Sequence, residues 1–178
     1  MIRFLMSTAL VGALSFTAIA PAQAQSVAGP YLAGRQAAVT NDFAKAATYS
    51  TKALARDQNN AELMDGAVLS LLSLGELERA LPIAKRLESQ EVRAQVAHMV
   101  VIADLIKRDA FAELAARDQE TKGIGPLVDG LLAAWTKVGL GAAPAALTAF
   151  DALAEQPSFG GFAMYHKAMA LPVTGDFE

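Results

Sequence analysis

The chain of 178 residues has no cysteine, a single tryptophan, three tyrosines and two histidines. Each scarcity removes a class of answer. Without thiols there is no disulfide, no cysteine nucleophile and no cysteine-borne acyl anchor, so packing alone must hold the fold. There is no His-Glu-x-x-His zinc pair and no Gly-x-Ser-x-Gly elbow. Gly123-x-Gly125 and Gly139-x-Gly141 stop short of a third glycine and follow no strand, so both read as helix breaks and not as phosphate-cradling loops. Basic blocks are missing as well: 15 Lys and Arg against 18 Asp and Glu leave a net charge of −3. Binding a nucleic-acid backbone needs clustered cations, so nucleic acid is not an expected partner. No cofactor and no metal is expected either.

Long apolar runs are scarce too, and the one that exists is at the start. Phe4 to Ala20 is 17 residues, apolar apart from Ser and Thr, with Arg3 before it and Pro21-Ala22-Gln23-Ala24 after it. A positive start, an apolar stretch at the lower limit for spanning a bilayer and a small-x-small site together predict a secretory signal peptide over residues 1–24. Cleavage after Ala24 is expected, with no membrane anchor afterwards. One Arg, not two, favours the general secretory route. The expected product starts at Gln25 and is a soluble, exported protein, with the bacterial periplasm as its compartment.

What the chain does have is a period. Phe43, Leu77 and Phe111 lie 34 residues apart, each just after an Asn-, Gly- or Asp-type break and just before an Ala-rich stretch. The pattern returns at Ala143, two residues early, and again at Phe177. Repeat starts at 27, 61, 95, 127 and 161 give intervals of 34, 34, 32 and 34. That stride is the spacing of a helix–turn–helix unit that buries its apolar face on its neighbours. The reading is one all-α domain, residues 25–178, built as an α-solenoid of antiparallel helix pairs. Its repeats fall at about 27–60, 61–94, 95–126, 127–160 and an incomplete 161–178.

Within the units, small residues mark where helices cross. The first repeat has Gly34, Ala46 and Ala53, and a polar exit at Asp57-Gln58-Asn59-Asn60. In the second, Leu63, Met64, Ala67, Val68 and Leu71 recur at helical spacing, Gly75 ends the helix, and Ala80, Ala84 and Leu87 line the inner face of the next. Pro82 inside that helix predicts a late start or a bend. The third repeat fits least well: Val96 to Lys107, then Phe111 to roughly Glu120, with Leu114 at a small-residue position and Asp118 on the inner face. Pro126 opens the fourth, which carries Trp135, then Ala146, Phe150 and Leu153. The last full helix is apolar on more than one face through Phe162, Met164, Tyr165, Met169 and Leu171, and Gly175-Asp176-Phe177-Glu178 follows it. Two readings stand: a longer solenoid cut short, prone to fray or aggregate beyond Ser158, or a poor cap completed by a partner or by self-association.

The small residues at repeat positions 8, 20 and 27, with the polar exit, resemble the tetratricopeptide repeat family across the chain after the leader, although Gln58 stands where that family usually has proline. The resemblance implies a right-handed superhelix whose concave groove is lined by the first helix of each pair. Carried onto this chain, the groove takes Tyr31, Arg35 and Val39, then Glu62, Asp65, Leu69 and Leu72, then Val96, Met99, Ile106 and Lys107. Leu131, Trp135 and Val138 follow, then Phe162, Tyr165 and Met169. Of these, Tyr31, Arg35, Asp65, Met99, Lys107, Leu131, Trp135, Phe162, Tyr165 and Met169 are the candidate partner-binding residues, while Leu69, Leu72 and Ile106 read as core between helices. Such a groove is polar at its N-terminal mouth and apolar toward the C-terminus. It suits an apolar or amphipathic protein segment anchored on aromatics such as Trp135 and Tyr165. The expected role is a non-catalytic scaffold or adaptor, or an accessory subunit of an envelope enzyme or outer-membrane machine. His98 is expected packed and His166 partly exposed, about 20 Å apart at ~10 Å per helix layer, too far to share an ion. Glu113, Asp118 and Glu120 read as an ordinary solvated face.

Overall fold

A computed structural model of the chain describes residues 26–90, 92, 94–117 and 119–175. The expected leader, Asp118 and Phe177 lie outside them. Among the described residues there are ten helices and no strand. They are α1 (Ala28–Val39), α2 (Phe43–Leu54), α3 (Ala61–Ser73), α4 (Leu77–Glu88), α5 (Gln95–Lys107), α6 (Phe111–Ala115), α7 (Gln119–Lys122), α8 (Pro126–Gly139), α9 (Ala143–Ala154) and α10 (Gly160–Thr174). Consecutive helices pack on one another from α1 to α6 and again from α8 to α10, the arrangement of an α-solenoid of helix pairs. The second helices of four pairs begin at Phe43, Leu77, Phe111 and Ala143, the positions that carry the sequence period.

The period is written into the turns. Asn41, Gly75, Asp109, Gly141 and Gly175 all have left-handed backbone, with φ between 52° and 77°. Four of these turns close in the same way. The amides of Asp42, Glu76, Ala110 and Ala142 donate to the carbonyls of Ala37, Leu71, Leu105 and Lys137 at 2.9–3.0 Å. The preceding amides reach Ala38, Leu72, Ile106 and Val138, completing a helix-ending motif that satisfies the last carbonyls and reverses the chain. At the front ends, Asp42 and Asn60 accept from the amides of Lys45 and Leu63, capping α2 and α3.

Packing then follows side-chain size. Ala46, Ala80 and Ala146 are wholly buried at equivalent positions of three second helices, where a methyl lets two backbones approach. Gly34 works the same way: a Cβ there would lie 3.1 Å from Ser50 Oγ. The larger core runs from α2 to α6 around Met64, Val68, Leu71, Leu87 and Val100. A smaller one joins α8, α9 and α10 around Phe150, which is fully buried.

Two expectations need correcting here. The late start offered for Pro82 does not occur: α4 starts at Leu77 and runs through the proline. Pro82 and Glu78, whose carbonyl loses its amide donor, are both exposed, so no buried group is stranded. The second helix of the third pair does not reach Glu120: α6 is five residues, against 12 in α2, α4 and α9, and the chain resumes helix only at Gln119. Leu114 sits where the other pairs have alanine and is 3% exposed, so its isobutyl group fills the space a close crossing would need.

Candidate functional site

The first helix of each pair, α1, α3, α5, α8 and α10, forms one row. Direct packing links α1 to α3, α3 to α5 and α8 to α10, whereas α5 and α8 have nothing comparable. At that point lies an open cleft of about 660 Å³. Most of its lining comes from α8, through Val128, Leu131, Trp135 and Val138 with Leu132, Thr136 and Gly139 beside them. Ile106 of α5, Phe111 and Leu114 of α6, and His166 and Val173 of α10 complete it. The α8 residues recur at three- and four-residue steps, so they form a stripe along one side of the helix. The opposite side of α8 faces α9, where Gly130 lies so close to Leu153 that a Cβ would come within 2.7 Å of it.

The cleft is nearly without polar atoms. Thr136 Oγ1 donates to its own helix at the Leu132 carbonyl, 2.7 Å away. The Trp135 indole N–H donates to His166 Nδ1 at 3.0 Å. An indole can only donate, so Nδ1 must be the acceptor nitrogen and the neutral His166 ring carries its proton on Nε2. Trp135 also meets Phe150 edge to face, with ring centroids 5.8 Å apart, and His166 at 6.2 Å. One indole thus belongs to the buried core and to the cleft wall.

The candidate residues fall into three groups. At the N-terminal mouth, Tyr31 donates to Glu62 Oε1, and Arg35 lies one turn on, donating to the Tyr31 hydroxyl oxygen at 3.4 Å with its guanidinium 5.8 Å from the ring centroid. The phenol is therefore engaged at the exposed edge of the row. Asp65 on α3 is half-buried, and burial pushes its carboxyl above the usual carboxylate range. Farther along, Met99 is 43% exposed and Lys107 donates to Glu78 Oε1 at 3.4 Å, tying α5 to α4 at the surface. At the C-terminal end, Leu131 and Trp135 line the cleft. Phe162, Tyr165 and Met169 are exposed on α10, and none of them is part of the cleft lining.

Sequence reasoning placed Leu69 and Ile106 in the core; both are more than two-fifths exposed, because the row leaves that face of α3 and α5 uncovered. It missed Val128, Leu132, Thr136 and Gly139 on α8, and Phe111, Leu114, His166 and Val173 elsewhere, as cleft residues. His166 follows Tyr165 and Val173 lies one turn beyond Met169, so the apolar stripe on α10 was visible but its rotation was not.

A second feature was also missed. Glu88, His98 and Arg117 form a buried charged cluster joining α4, α5 and the segment after α6, with all three side chains less than a tenth exposed. His98 Nδ1 lies 2.7 Å from Glu88 Oε1, and Arg117 donates to both oxygens of the same carboxylate and to the Lys122 carbonyl. The carboxylate can only accept, which places the proton of that bond on Nδ1. Enclosed as it is, the cluster works as a fastener between helices. Among the described residues no group of three or more His, Cys, Asp or Glu could hold a metal ion, and no helix is long and apolar enough to cross a membrane.

Comparison of the chain with family models, with curated proteins and with solved structures returned no match in any of the three.

Proposed function

We propose that this chain is an exported, tetratricopeptide-like adaptor of the bacterial cell envelope that holds apolar or amphipathic segments of other proteins along its row of first helices. The observation that carries the reading is the open apolar cleft of about 660 Å³ over α8, a size common for ligand sites, with aromatic anchors and almost no polar lining. The shared turn geometry and the alanine crossings support the family resemblance. Export rests on the leader-like residues 1–24, and N-terminal sequencing of the envelope form should begin at Gln25. Catalysis has no part in the proposal.

Affinity capture from the native envelope tests it, comparing the intact protein with Trp135→Ala. Loss of a recovered partner in the variant is expected; equal recovery removes Trp135 from the site. The exposed Phe162, Met164, Tyr165 and Val173 of α10 favour a second reading, a permanent accessory subunit whose last helix is covered by its enzyme or machine. A soluble monomer in isolation points to the adaptor, and insolubility without a co-expressed partner points to the subunit.

A further inference from the structure

We infer that the occupant of the cleft is an amphipathic α-helix of about three turns, lying along α8 between α5 and α10. This deepens the adaptor reading and rests on it. Three observations select a helix. First, the row is loosest here: α5 and α8 pack less closely than any other neighbouring first helices, and the paired helix α6, which itself packs on α8, stops after five residues. Second, the floor is a stripe running from Val128 to Val138 along α8. At ~1.5 Å per residue it is about 15 Å long, the length of three turns, and its three- and four-residue steps are the pattern another helix packs against. Third, the cleft is a trough and not an enclosed cavity, since Ile106, Val128 and Val173 on its sides are 43%, 45% and 68% exposed. A single acyl chain in such a trough would stay half in water and would find one N–H, on His166, for its head. A helix covers the trough with one face and returns its polar face to solvent.

Trp135 is the only tryptophan in the chain, so its emission reports the cleft directly. The test titrates the full protein with 14-residue peptides carrying leucine at i, i+3, i+4 and i+7, with an acidic or a basic polar face. Scrambled versions and palmitate serve as the other arms. A saturable shift in Trp135 emission with an amphipathic peptide, absent with its scrambled version, is the expected result. Val128→Glu and Ile106→Lys should each weaken that binding at least tenfold while leaving helix content unchanged, because both positions are exposed in the free protein. A response to palmitate and to no peptide would overturn the inference in favour of a single-chain amphiphile. Dimerisation abolished by Val128→Glu would overturn it in favour of a second copy, and silence in every arm would also end it. Capture of a partner that survives Val128→Glu would sink this occupant while leaving the adaptor reading standing; no capture by the intact chain would sink the adaptor.

Discussion

The two halves of the molecule share alanine and glycine crossings but fill the rest of their cores differently. From α1 to α5 the helices close on alanine and glycine, and the exposed row carries Tyr31, Arg35, Glu62 and Asp65 in mutual contact or partial burial. From α8 to α10 the core depends on one ring, Phe150, and the exposed row is apolar. The N-terminal half can spread its burial over many small contacts, so no single residue dominates it. The C-terminal half concentrates burial in few residues and exposes as many large apolar side chains on three helices as the other half does on five.

The largest effect is expected at the buried cluster that ties α4, α5 and the segment after α6 at the end of the first half. Arg117→Ala leaves Glu88 buried without its cation and should cost about 3–5 kcal/mol in chemical denaturation. A Glu88→Gln, Arg117→Met double variant, which keeps an acceptor for His98, should recover most of it; failure to recover would mean that the cluster does more than offset its own charges. Phe150→Ala should cost about 3–5 kcal/mol as well, through the cavity it opens. Hydrogen exchange should then show protection lost in α8, α9 and α10 and kept in α2 to α4. Uniform loss would mean that the halves fold as one unit.

A smaller effect is expected at Gly139, where an added Cβ would fall 2.6 Å from the Phe111 ring. Gly139→Ala should cost about 1–3 kcal/mol and shift Trp135 emission as Phe111 leaves the cleft wall. The smallest concerns Asp65. Its carboxyl is raised by burial in the folded chain, so the folded state holds the proton more tightly than the unfolded one. Its ionisation therefore opposes folding: the penalty is absent below the unfolded carboxylate range and fully present above the raised folded value. Asp65→Asn should lift the melting temperature at neutral pH and flatten its decline as pH rises through the carboxylate range. An unchanged profile would contradict the burial argument.

The stride, the turns and the crossings were legible because each depends on one residue's own chemistry. Asn41, Gly75, Asp109 and Gly141 tolerate left-handed backbone, and alanine at 46, 80 and 146 admits a neighbour. The first-helix face, with Leu131 and Trp135 on it, came instead from the family resemblance, which carries groove positions onto each repeat. What could not be read were features that need two distant segments at once. Arg117 meets Glu88 across 29 residues and only because α6 ends early. Leu114 was visible as an odd residue, yet the shortened helix it accompanies was not, since Phe111 to Glu120 keeps good helical composition. Ile106 and Leu69 looked like core because their exposure depends on how far apart two helices stand.

Trp135 meets the buried Phe150 ring edge to face and also lines the open cleft. Filling that cleft must therefore tighten the packing beneath it, and loosening the packing must spoil the cleft. Thermal resistance of the last three helices and occupancy of the trough above them become two readings of a single indole's position, so a heated sample can report a bound guest without any label.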